Sequence, residues 1–264
     1  MTWVVAGNSA FFPLMVGDVR VTFTTREGQR FERDCLQKIY PLAPNLVAGF
    51  AGSVRAGMFM LDALQRQLHQ DQLYSLPRAA HTWLPRALRR MFRKLGTDDR
   101  TAGCQLMFIS AHPELDQGVP DLPRPHTCRL VAPDFEPEMS TGRAFLSIGS
   151  GQNVEAYRAA AEKVVEGFQL EMLIMGGWRL PAQSLADYLH WTVNRSPTAG
   201  VSSHFVYATV SRQGFVIAPH SYTVHEGDGR KRFVGPPPLA RSYAEFVAYC
   251  RANGIGATAV AECR

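Results

Sequence analysis

The strand and helix patterns of this chain follow one another in an order that limits the possible folds. Strands are predicted where apolar and polar residues alternate, as in LMVGDVRVTFT (14–24), and in short apolar runs such as LVAGFAG (46–52). They occur in adjacent groups, separated twice by a pair of predicted helices. Such grouping favours a sheet with much antiparallel pairing over a doubly wound parallel sheet.

The helices are predicted from apolar residues that recur at steps of three and four. The first covers about 54–68 and the second roughly 76–95. A third starts just after Gly151, and a fourth runs from about Pro181, which suits the first turn of a helix, to Asn194. Each pair can cover one sheet. The sequence therefore predicts an α+β fold, built as a four-layer αββα sandwich with helices outside and two sheets packed inside.

One stretch, from His112 to Thr141, interrupts the regular pattern. It carries six prolines and several acidic residues and shows little periodicity. Loops longer than about 12–15 residues are usually functional or disordered, so a Pro-rich surface insertion is expected at about 112–141. The predicted organisation is one domain over 2–230 and a C-terminal extension over 231–264, which includes GPPP (235–238) and a short helix.

Composition and cysteine usage indicate which cellular compartment is expected. The five cysteines are odd in number and show no paired spacing, which favours a reduced cytosol over a disulfide framework. No apolar run approaches the roughly 18–20 residues that span a membrane, and no secretory signal is recognised at the N-terminus. A cytoplasmic protein without a membrane partner is expected. The net charge of +5 permits an acidic partner but does not demand one.

The basic charge is concentrated in PRALRRMFRKLG (85–96). On a helix its arginines share one face and its leucines another, as in a solvated amphipathic helix. A nucleic-acid partner is not expected, because Phe92 is the only aromatic residue among these charges and no binding motif accompanies them. A subunit contact remains an alternative for this face.

Most standard catalytic and metal-binding motifs are absent from the sequence. The eight histidines share no metal-ligand spacing, and no cofactor or metal is predicted. Cys35 lies three residues before Lys38, so in a strand the two side chains face opposite ways. Cys35 is therefore interpreted as a buried apolar residue rather than a nucleophile.

Thr2 stands at the very start of a predicted strand. A hydroxyl is a weak nucleophile that needs a base. A chain-terminal threonine carries its own base, because its free α-amino group, with an ordinary pKa near roughly 8, belongs to the same residue as its Oγ. Methionine removal is favoured when the second residue is small. By itself this signal is weak, since many proteins begin Met-Thr.

Five blocks together carry a family resemblance: TWVVAG, VGDVRVTF, QKIYPLAPNLVAGFAGSVRAG, DDRTAG and LSIGSGQNVEAYRAAA. In their order and spacing they resemble the proteasome β-subunit superfamily, and most of all the bacterial HslV-type peptidases. The similarity covers roughly residues 2–110 and 143–210. It implies an N-terminal-nucleophile hydrolase with the same four-layer sandwich.

The resemblance also implies a role for each of five residues. Thr2 matches the nucleophilic threonine that processing exposes. Lys38, in QKIYP, matches the catalytic lysine, and Asp18, in GDVRVT, matches its acidic partner. Gly49, in VAGFAG, matches the glycine whose backbone N–H donates to the oxyanion. Ser150, in IGSG, matches the serine beside the α-amine. Four of these residues also have a structural alternative: a turn residue for Asp18, an exposed strand lysine for Lys38, a tight-packing glycine for Gly49 and a cap of the following helix for Ser150.

The chain departs from the family pattern in three places. Where the family often has an aspartate near its second helix pair, this chain has Arg195 or Ser196, in NRSPTAGVSS. The segment between Arg20 and Lys38 is longer than in HslV-type peptidases. Neither the 112–141 insertion nor the tail after about 230 has a counterpart in the family.

The expected function is a threonine peptidase of a self-compartmentalising double ring, which cleaves peptides or unfolded proteins, with an ATPase unfoldase as an optional partner. Ring assembly is implied by the resemblance alone. Two alternatives are open. One is an amidase or acylase that uses Thr2 on a small amide without a chamber. The other is a catalytically silent ring scaffold, which the departure at the aspartate position would favour.

Overall fold

The computed structural model describes residues 2–8, 12–25, 28–69, 71–112, 124–140, 145–163, 180–211, 213–225, 227, 230–255 and 260–263. Within these ranges the chain is a mixed α+β protein, as predicted. Every pairing between neighbouring strands is antiparallel in the described ranges, which agrees with the grouping of strands along the sequence.

The described strands form two large sheets and one hairpin. The strand bounds are β1 Val4–Asn8, β2 Pro13–Asp18, β3 Arg20–Thr24, β4 Arg30–Asp34, β5 Ile39–Ala43, β6 Leu46–Ser53, β7 Cys104–His112, β8 Arg124–Val131, β9 Pro137–Ser140, β10 Phe145–Ile148, β11 Phe205–Ser211, β12 Gly214–Pro219, β13 Tyr222–His225, β14 Lys231–Val234 and β15 Val260–Cys263. The smaller sheet has the order β10-β1-β2-β11-β12. The larger sheet has the order β4-β3-β15-β6-β7-β8-β9, with β5 paired to β6, and β13 pairs with β14 in the hairpin.

The helices of the described ranges largely follow the predicted segments: α1 Val54–Gln67, α2 Leu76–His81, α3 Leu84–Arg93, α4 Thr97–Ala102, α5 at 155–163, α6 Leu180–Arg195 and α7 Tyr243–Ala252. A single helix was predicted over 76–95, and the structure divides it. The first part stops where the Thr82 hydroxyl donates to the Arg78 carbonyl at 2.6 Å. The second starts again with Pro85 in its first turn.

Three hydrophobic clusters hold these elements together. One joins α1, α2, α3 and α7 to a face of the larger sheet. A second joins α5 and α6 to the smaller sheet. The third lies between strands of the two sheets, with Val4 and Met15 on one side and Val47 and Met107 on the other. Alternate residues of β1 serve different clusters, Val4 the third and Val5 the second, because successive side chains of a strand point to opposite faces.

The run LMVGDVRVTFT was predicted as one strand, and it forms two. β2 ends at Asp18 in the smaller sheet, and β3 begins at Arg20 in the larger one. Val19, between them, is buried, and its carbonyl accepts hydrogen bonds from the amides of Cys35 and Leu36 at 3.1 and 3.2 Å. The chain therefore crosses from one sheet to the other at this residue, which places its two neighbours beside the start of β1.

Two other predictions need correction. The 112–141 segment is not wholly an irregular insertion, because β8 and β9 continue the larger sheet beyond β7; residues 113–123 and 141 lie outside the described residues. The 231–264 segment is not a separate appendage, because Phe246 of α7 is buried in the first cluster and β15 is a strand of the larger sheet. The prolines at 125 and 137 lie near strand starts, where proline is tolerated.

Cys35 is completely buried, as predicted. On α3 the apolar face packs into the first cluster, while Arg86, Arg90 and Arg93 are exposed. No helix among the described residues is long and apolar enough to cross a membrane.

Candidate active site

Thr2 lies just before β1 and has no exposed surface. Its backbone nitrogen donates to Ser150 Oγ at 3.2 Å, and its carbonyl accepts from the Gly151 amide at 3.2 Å. In the full chain this nitrogen belongs to the Met1–Thr2 peptide bond. Removal of Met1 would turn it into an α-amine with a hydroxyl already beside it.

The Lys38 ammonium reaches the Thr2 hydroxyl directly. Its Nζ donates to Thr2 Oγ1 at 2.8 Å, to Asp18 Oδ1 at 3.0 Å and to the Arg20 carbonyl at 2.5 Å. An ammonium has three N–H donors, so these three acceptors satisfy it fully. Lys38 is only 1% exposed, and a positive charge this close to an oxygen favours the ionised form of the hydroxyl.

Asp18 supplies the negative charge that a buried ammonium needs. Its Oδ1 accepts from Lys38 and from the Arg20 amide at 2.8 Å, and its Oδ2 accepts from the Trp3 amide. Its own backbone N–H donates to the Trp3 carbonyl at 3.0 Å. One carboxylate therefore fixes both the charge that acts on Thr2 and the backbone of the residue after Thr2.

The turn before Ser150 is shaped to fit against Thr2. Gly149 has φ +82°, and a Cβ there would lie 2.2 Å from the Thr2 carbonyl oxygen. Its amide donates to Gln105 Oε1 at 3.0 Å, which anchors the turn to the larger sheet. Ser150 opens the short 3₁₀ helix Ser150–Asn153, whose N-cap residue is Gly149. The Ser150 hydroxyl accepts from the Thr2 backbone nitrogen at 3.2 Å and lies 3.4 Å from the Thr2 carbonyl oxygen.

Gly49 is the predicted site residue that lies differently from expectation. It sits inside β6, opposite Ile39 of β5 and Met107 of β7. The Phe50 amide donates to the Lys38 carbonyl at 3.2 Å. Because alternate residues of a strand direct their backbone groups to opposite neighbours, the Gly49 N–H points toward β7. Donation to an oxyanion would require this amide to leave the ladder, so that role stays a prediction.

The structure gives another reason for a glycine at position 49. A Cβ there would lie 2.9 Å from Met15 Sδ and 3.2 Å from Val4 Cγ1, both in the third cluster. The missing side chain lets the two sheets approach closely beside Lys38.

A second carboxylate, Asp34, was not singled out in the sequence. Arg20 Nε donates to Asp34 Oδ1 at 2.7 Å, and Ser202 Oγ donates to Asp34 Oδ2 at 2.7 Å. His204 Nδ1 lies 3.2 Å from the same Oδ2. The backbone of Arg20 holds both Asp18 and Lys38, so Asp34 braces the residue on which the charge pair rests. The longer β3–β4 segment, already visible in the sequence, is the only signal that pointed here.

The ionisation of Asp34 follows from these partners. Burial alone would raise its pKa, but hydrogen bonds from His204, Arg20 and Ser202 outweigh burial and hold the pKa of this carboxyl well below its ordinary value. For Arg20 burial acts in the opposite direction and would lower its pKa. The hydrogen bond and the negative charge of Asp34 outweigh burial and raise the pKa of Arg20 above its ordinary value. The pair is therefore charged at every pH where the protein is expected to work.

Arg195 or Ser196 stands where the family often has an aspartate, so this segment supplies no carboxylate to the site among the described contacts. Arg195 is exposed, and its guanidinium lies 3.5 Å from the centre of the Trp191 ring. The Ser196 carbonyl accepts from the Tyr157 hydroxyl at 2.8 Å. Tyr157 stacks on Trp3 with ring centres 4.7 Å apart, so this segment supports the start of β1 by packing.

Four of the five predicted residues, Thr2, Asp18, Lys38 and Ser150, thus meet at one point, where the two sheets come together. Comparison with models of known protein families and with curated proteins gave no match to this chain. Function is therefore inferred from the residues and their geometry.

Proposed function

We propose that this protein is an N-terminal-nucleophile hydrolase, a threonine peptidase whose nucleophile is Thr2 after removal of Met1. The observation that carries the proposal is the Lys38 ammonium, which is buried and contacts both Thr2 Oγ1 at 2.8 Å and Asp18 Oδ1 at 3.0 Å. The threonine hydroxyl satisfies one of the three N–H donors of a buried ammonium. For a nucleophile the same contact supplies a fixed positive charge beside the reacting oxygen.

The fold that belongs to this proposal is the four-layer αββα sandwich. The three hydrophobic clusters support it, because one lies between helices and the larger sheet, one between the sheets, and one between the smaller sheet and α5 and α6. In that arrangement Thr2, just before β1, lies where the two sheets meet. The strand then aims the nucleophile, and misplacement by about 1 Å can cost roughly a hundredfold in rate.

The chemistry proceeds in two halves. Thr2 Oγ attacks the substrate carbonyl carbon while its proton passes to the α-amine, and the C–N bond of the tetrahedral intermediate then breaks as the leaving amine takes that proton. The product of this half is an ester on Thr2 Oγ. Water then attacks the ester, the α-amine accepts its proton, and the acid is released as Oγ regains a proton. Lys38 stabilises the negative charge on Oγ in both halves, and Ser150 Oγ holds the amine.

The assembly expected of such a peptidase is a double ring of identical subunits around a closed chamber, with an ATPase unfoldase as an optional partner. The exposed arginines of α3, Arg86, Arg90 and Arg93, offer a polar surface for a subunit contact. Arg89 is already used within the chain, because it donates to the Asp134 carbonyl at 2.8 Å.

A catalytically silent ring subunit is the second candidate. It is favoured by the exposed Arg195 at the family's aspartate position, which leaves Ser150 without a carboxylate from that segment. A small-amide amidase is the third, and it shares the chemistry of the main proposal.

Intact mass spectrometry tests the proposal. Purified protein is measured before and after incubation with a threonine-directed epoxyketone, which forms a ring with both the hydroxyl and the α-amine. The expected result is loss of Met1 and one added inhibitor per chain. Thr2→Ala should take up none, and Thr2→Ser should keep part of the labelling and part of the peptide turnover. Protein that retains Met1 and still hydrolyses peptides at full rate would place the chemistry elsewhere.

A further inference from the structure

Strand β15 lies between two strands that do not pair with each other within the described residues. It pairs antiparallel with β3 through Thr22–Thr24 and with β6 through Gly52 and Ser53. Neighbouring strands lie about 4.8 Å apart, so β15 fills a gap that is one strand wide. Residues from near the C-terminal end of the sequence thus occupy a slot bounded by β3 and β6.

The slot closes at the candidate active site. The Lys38 carbonyl accepts from the Phe50 amide of β6 at 3.2 Å, and Lys38 Nζ donates to the Arg20 carbonyl of β3 at 2.5 Å. Lys38 therefore links the two strands at one end of the slot, and the same Nζ contacts Thr2 Oγ1. This end, bridged by Lys38 and next to Thr2, is called the closed end of the slot.

The direction of β15 is set by its pairing. From Val260 to Glu262 its partners on β3 run from Thr24 down to Thr22, and on β6 they run from Ser53 to Gly52. The chain therefore advances toward the closed end. Pairing stops at Thr22, two residues from Arg20 on β3, and at Gly52, two residues from Phe50 on β6. At about 3.3 Å per residue this leaves roughly 7 Å to the closed end.

We propose that β15 is an internal competitor: this segment of the same chain occupies the slot between β3 and β6, a cleft where an extended substrate of the proposed peptidase would pair by its main chain, and it has to leave before such a substrate can bind. A strand in the register of β15, longer by two residues, brings its backbone to the closed end. This rests on the proposed function, because only a nucleophile at Thr2 makes that end a site of cleavage.

Main-chain pairing defines what the cleft accepts. Once β15 leaves, the facing edges of β3 and β6 offer unpaired N–H and C=O groups, which bind any extended chain with little regard to its side chains. The ligand class is therefore an unfolded or extended polypeptide. β15 leaves the cleft open in only a fraction of the molecules. The apparent affinity for such a chain is the intrinsic affinity multiplied by that open fraction.

The pairing of β15 is limited enough to be reversible. The strand has four residues, and only two of them pair with β6, whereas β6 itself has eight residues and pairs with β7 along seven of them. Few ladder hydrogen bonds have to break for β15 to leave, so exchange with another strand is feasible without unfolding of the sheet.

The first test opens the cleft in the full-length chain. Ala261→Pro removes an N–H and places proline in a strand flanked on both sides, where it is not tolerated. Ala261→Val keeps the N–H and is the matched control. Both are made with Thr2→Ala, and binding of a fluorescein-labelled peptide of residues 257–263, with serine in place of Cys263, is followed by anisotropy. Ala261→Pro should bind at least about tenfold more tightly than Ala261→Val, which should equal the parent.

The second test closes the cleft and guards against a proline variant that merely misfolds. Thr24 and Val260 are direct partners across the β3–β15 pair. Antiparallel partners have Cα atoms about 4.5–5.5 Å apart, within the range of a disulfide. Thr24→Cys with Val260→Cys should exclude the peptide when oxidised and regain the parent's binding on reduction.

Casein hydrolysis by the same variants with Thr2 intact separates the two proposals. The inference is overturned if Ala261→Pro, Ala261→Val and the oxidised pair bind the peptide alike, or if all of them hydrolyse casein at the same measurable rate. Peptide binding that rises in Ala261→Pro and vanishes in the oxidised pair, with no hydrolysis by any form, supports the cleft and refutes the proposed peptidase. Hydrolysis that follows the order of peptide binding supports both.

Discussion

Trp3 and Asp18 exchange two hydrogen bonds. The Trp3 amide donates to Asp18 Oδ2, and the Asp18 amide donates to the Trp3 carbonyl at 3.0 Å. The remaining carboxylate oxygen, Oδ1, binds Lys38. The position of the residue after Thr2 and the position of the Lys38 charge are therefore set by one side chain, and neither can shift without the other.

Loss of Lys38 is expected to abolish turnover and to weaken the fold. Lys38→Ala removes the charge beside Thr2 Oγ1 and leaves the Asp18 carboxylate buried without its partner, which typically costs about 3–5 kcal/mol of unfolding free energy. Urea unfolding and peptide hydrolysis measure the two effects. The double variant with Asp18→Asn buries no charge and should be more stable than Lys38→Ala alone. Near-normal turnover by Lys38→Ala would show that the charge pair is not catalytic.

Gly149→Ala is expected to displace Thr2. The new Cβ would lie 2.2 Å from the Thr2 carbonyl oxygen, and the residue would keep an unfavourable φ of +82°. Gly103→Ala is the matched control, because Gly103 has φ +75° and ψ 171°, close to the φ +82° and ψ −177° of Gly149, and a Cβ added there would meet nothing within 4 Å. The control should lose only the cost of its backbone conformation, about 1–3 kcal/mol, while Gly149→Ala should lose about 1–3 kcal/mol more and also its epoxyketone labelling. Equal losses would mean that the turn tolerates a side chain.

Asp34→Asn should destabilise the protein in a pH-dependent manner. The folded pKa of Asp34 lies below the unfolded value of about 3.9. Its stabilisation is therefore complete above that unfolded value and is lost as the pH falls through the folded one. Relative to wild type, Asp34→Asn should lose about 1–3 kcal/mol between pH 5 and 7, and the difference should shrink below about pH 4.

Urea titrations across this pH range measure the effect. Asp62→Asn is the control, since Asp62 forms an exposed pair with Arg66 on α1, and its loss should stay within about 0.5 kcal/mol at every pH. If the loss of unfolding free energy in Asp34→Asn is the same at pH 3 as at pH 7, the charge of Asp34 contributes nothing to stability.

Assembly is expected to produce a closed, symmetric particle of roughly twelve or more subunits. Light scattering at micromolar concentration measures its mass. The triple variant of Arg86, Arg90 and Arg93 to Glu, on the exposed face of α3, should reduce the particle to smaller species. A wild-type monomer or dimer would remove the chamber and favour the small-amide amidase.

The sequence pattern by itself placed Thr2 at the start of a strand, and the roles of Asp18, Lys38 and Ser150 were implied by the family resemblance. That a strand ends at Asp18 is seen only in the structure. The meeting of Thr2 and Asp18 at the Lys38 ammonium confirms none of the chemistry, but it does place the predicted residues together.

What the sequence could not predict depends on pairing between distant segments. Periodicity within 14–24 reports which side chains are apolar, and it does not report that the two halves belong to different sheets. The direction of the Gly49 amide depends on the register of β6 between β5 and β7. The contacts of Asp34 with Ser202 and His204 join residues 168 and 170 positions apart, beyond the reach of any local pattern.

The crossing of the chain at Val19 also bears on when the site appears during folding. Lys38 and Thr2 are 36 residues apart, and Thr2 and Ser150 are 148 apart. Contacts of such long range form late, after local helices and hairpins. Neither sheet alone contains the site, so under the proposed function a half-folded chain would carry no working nucleophile that could cleave its neighbours. Refolding followed in parallel by circular dichroism and by epoxyketone labelling should show the label lagging behind the secondary structure.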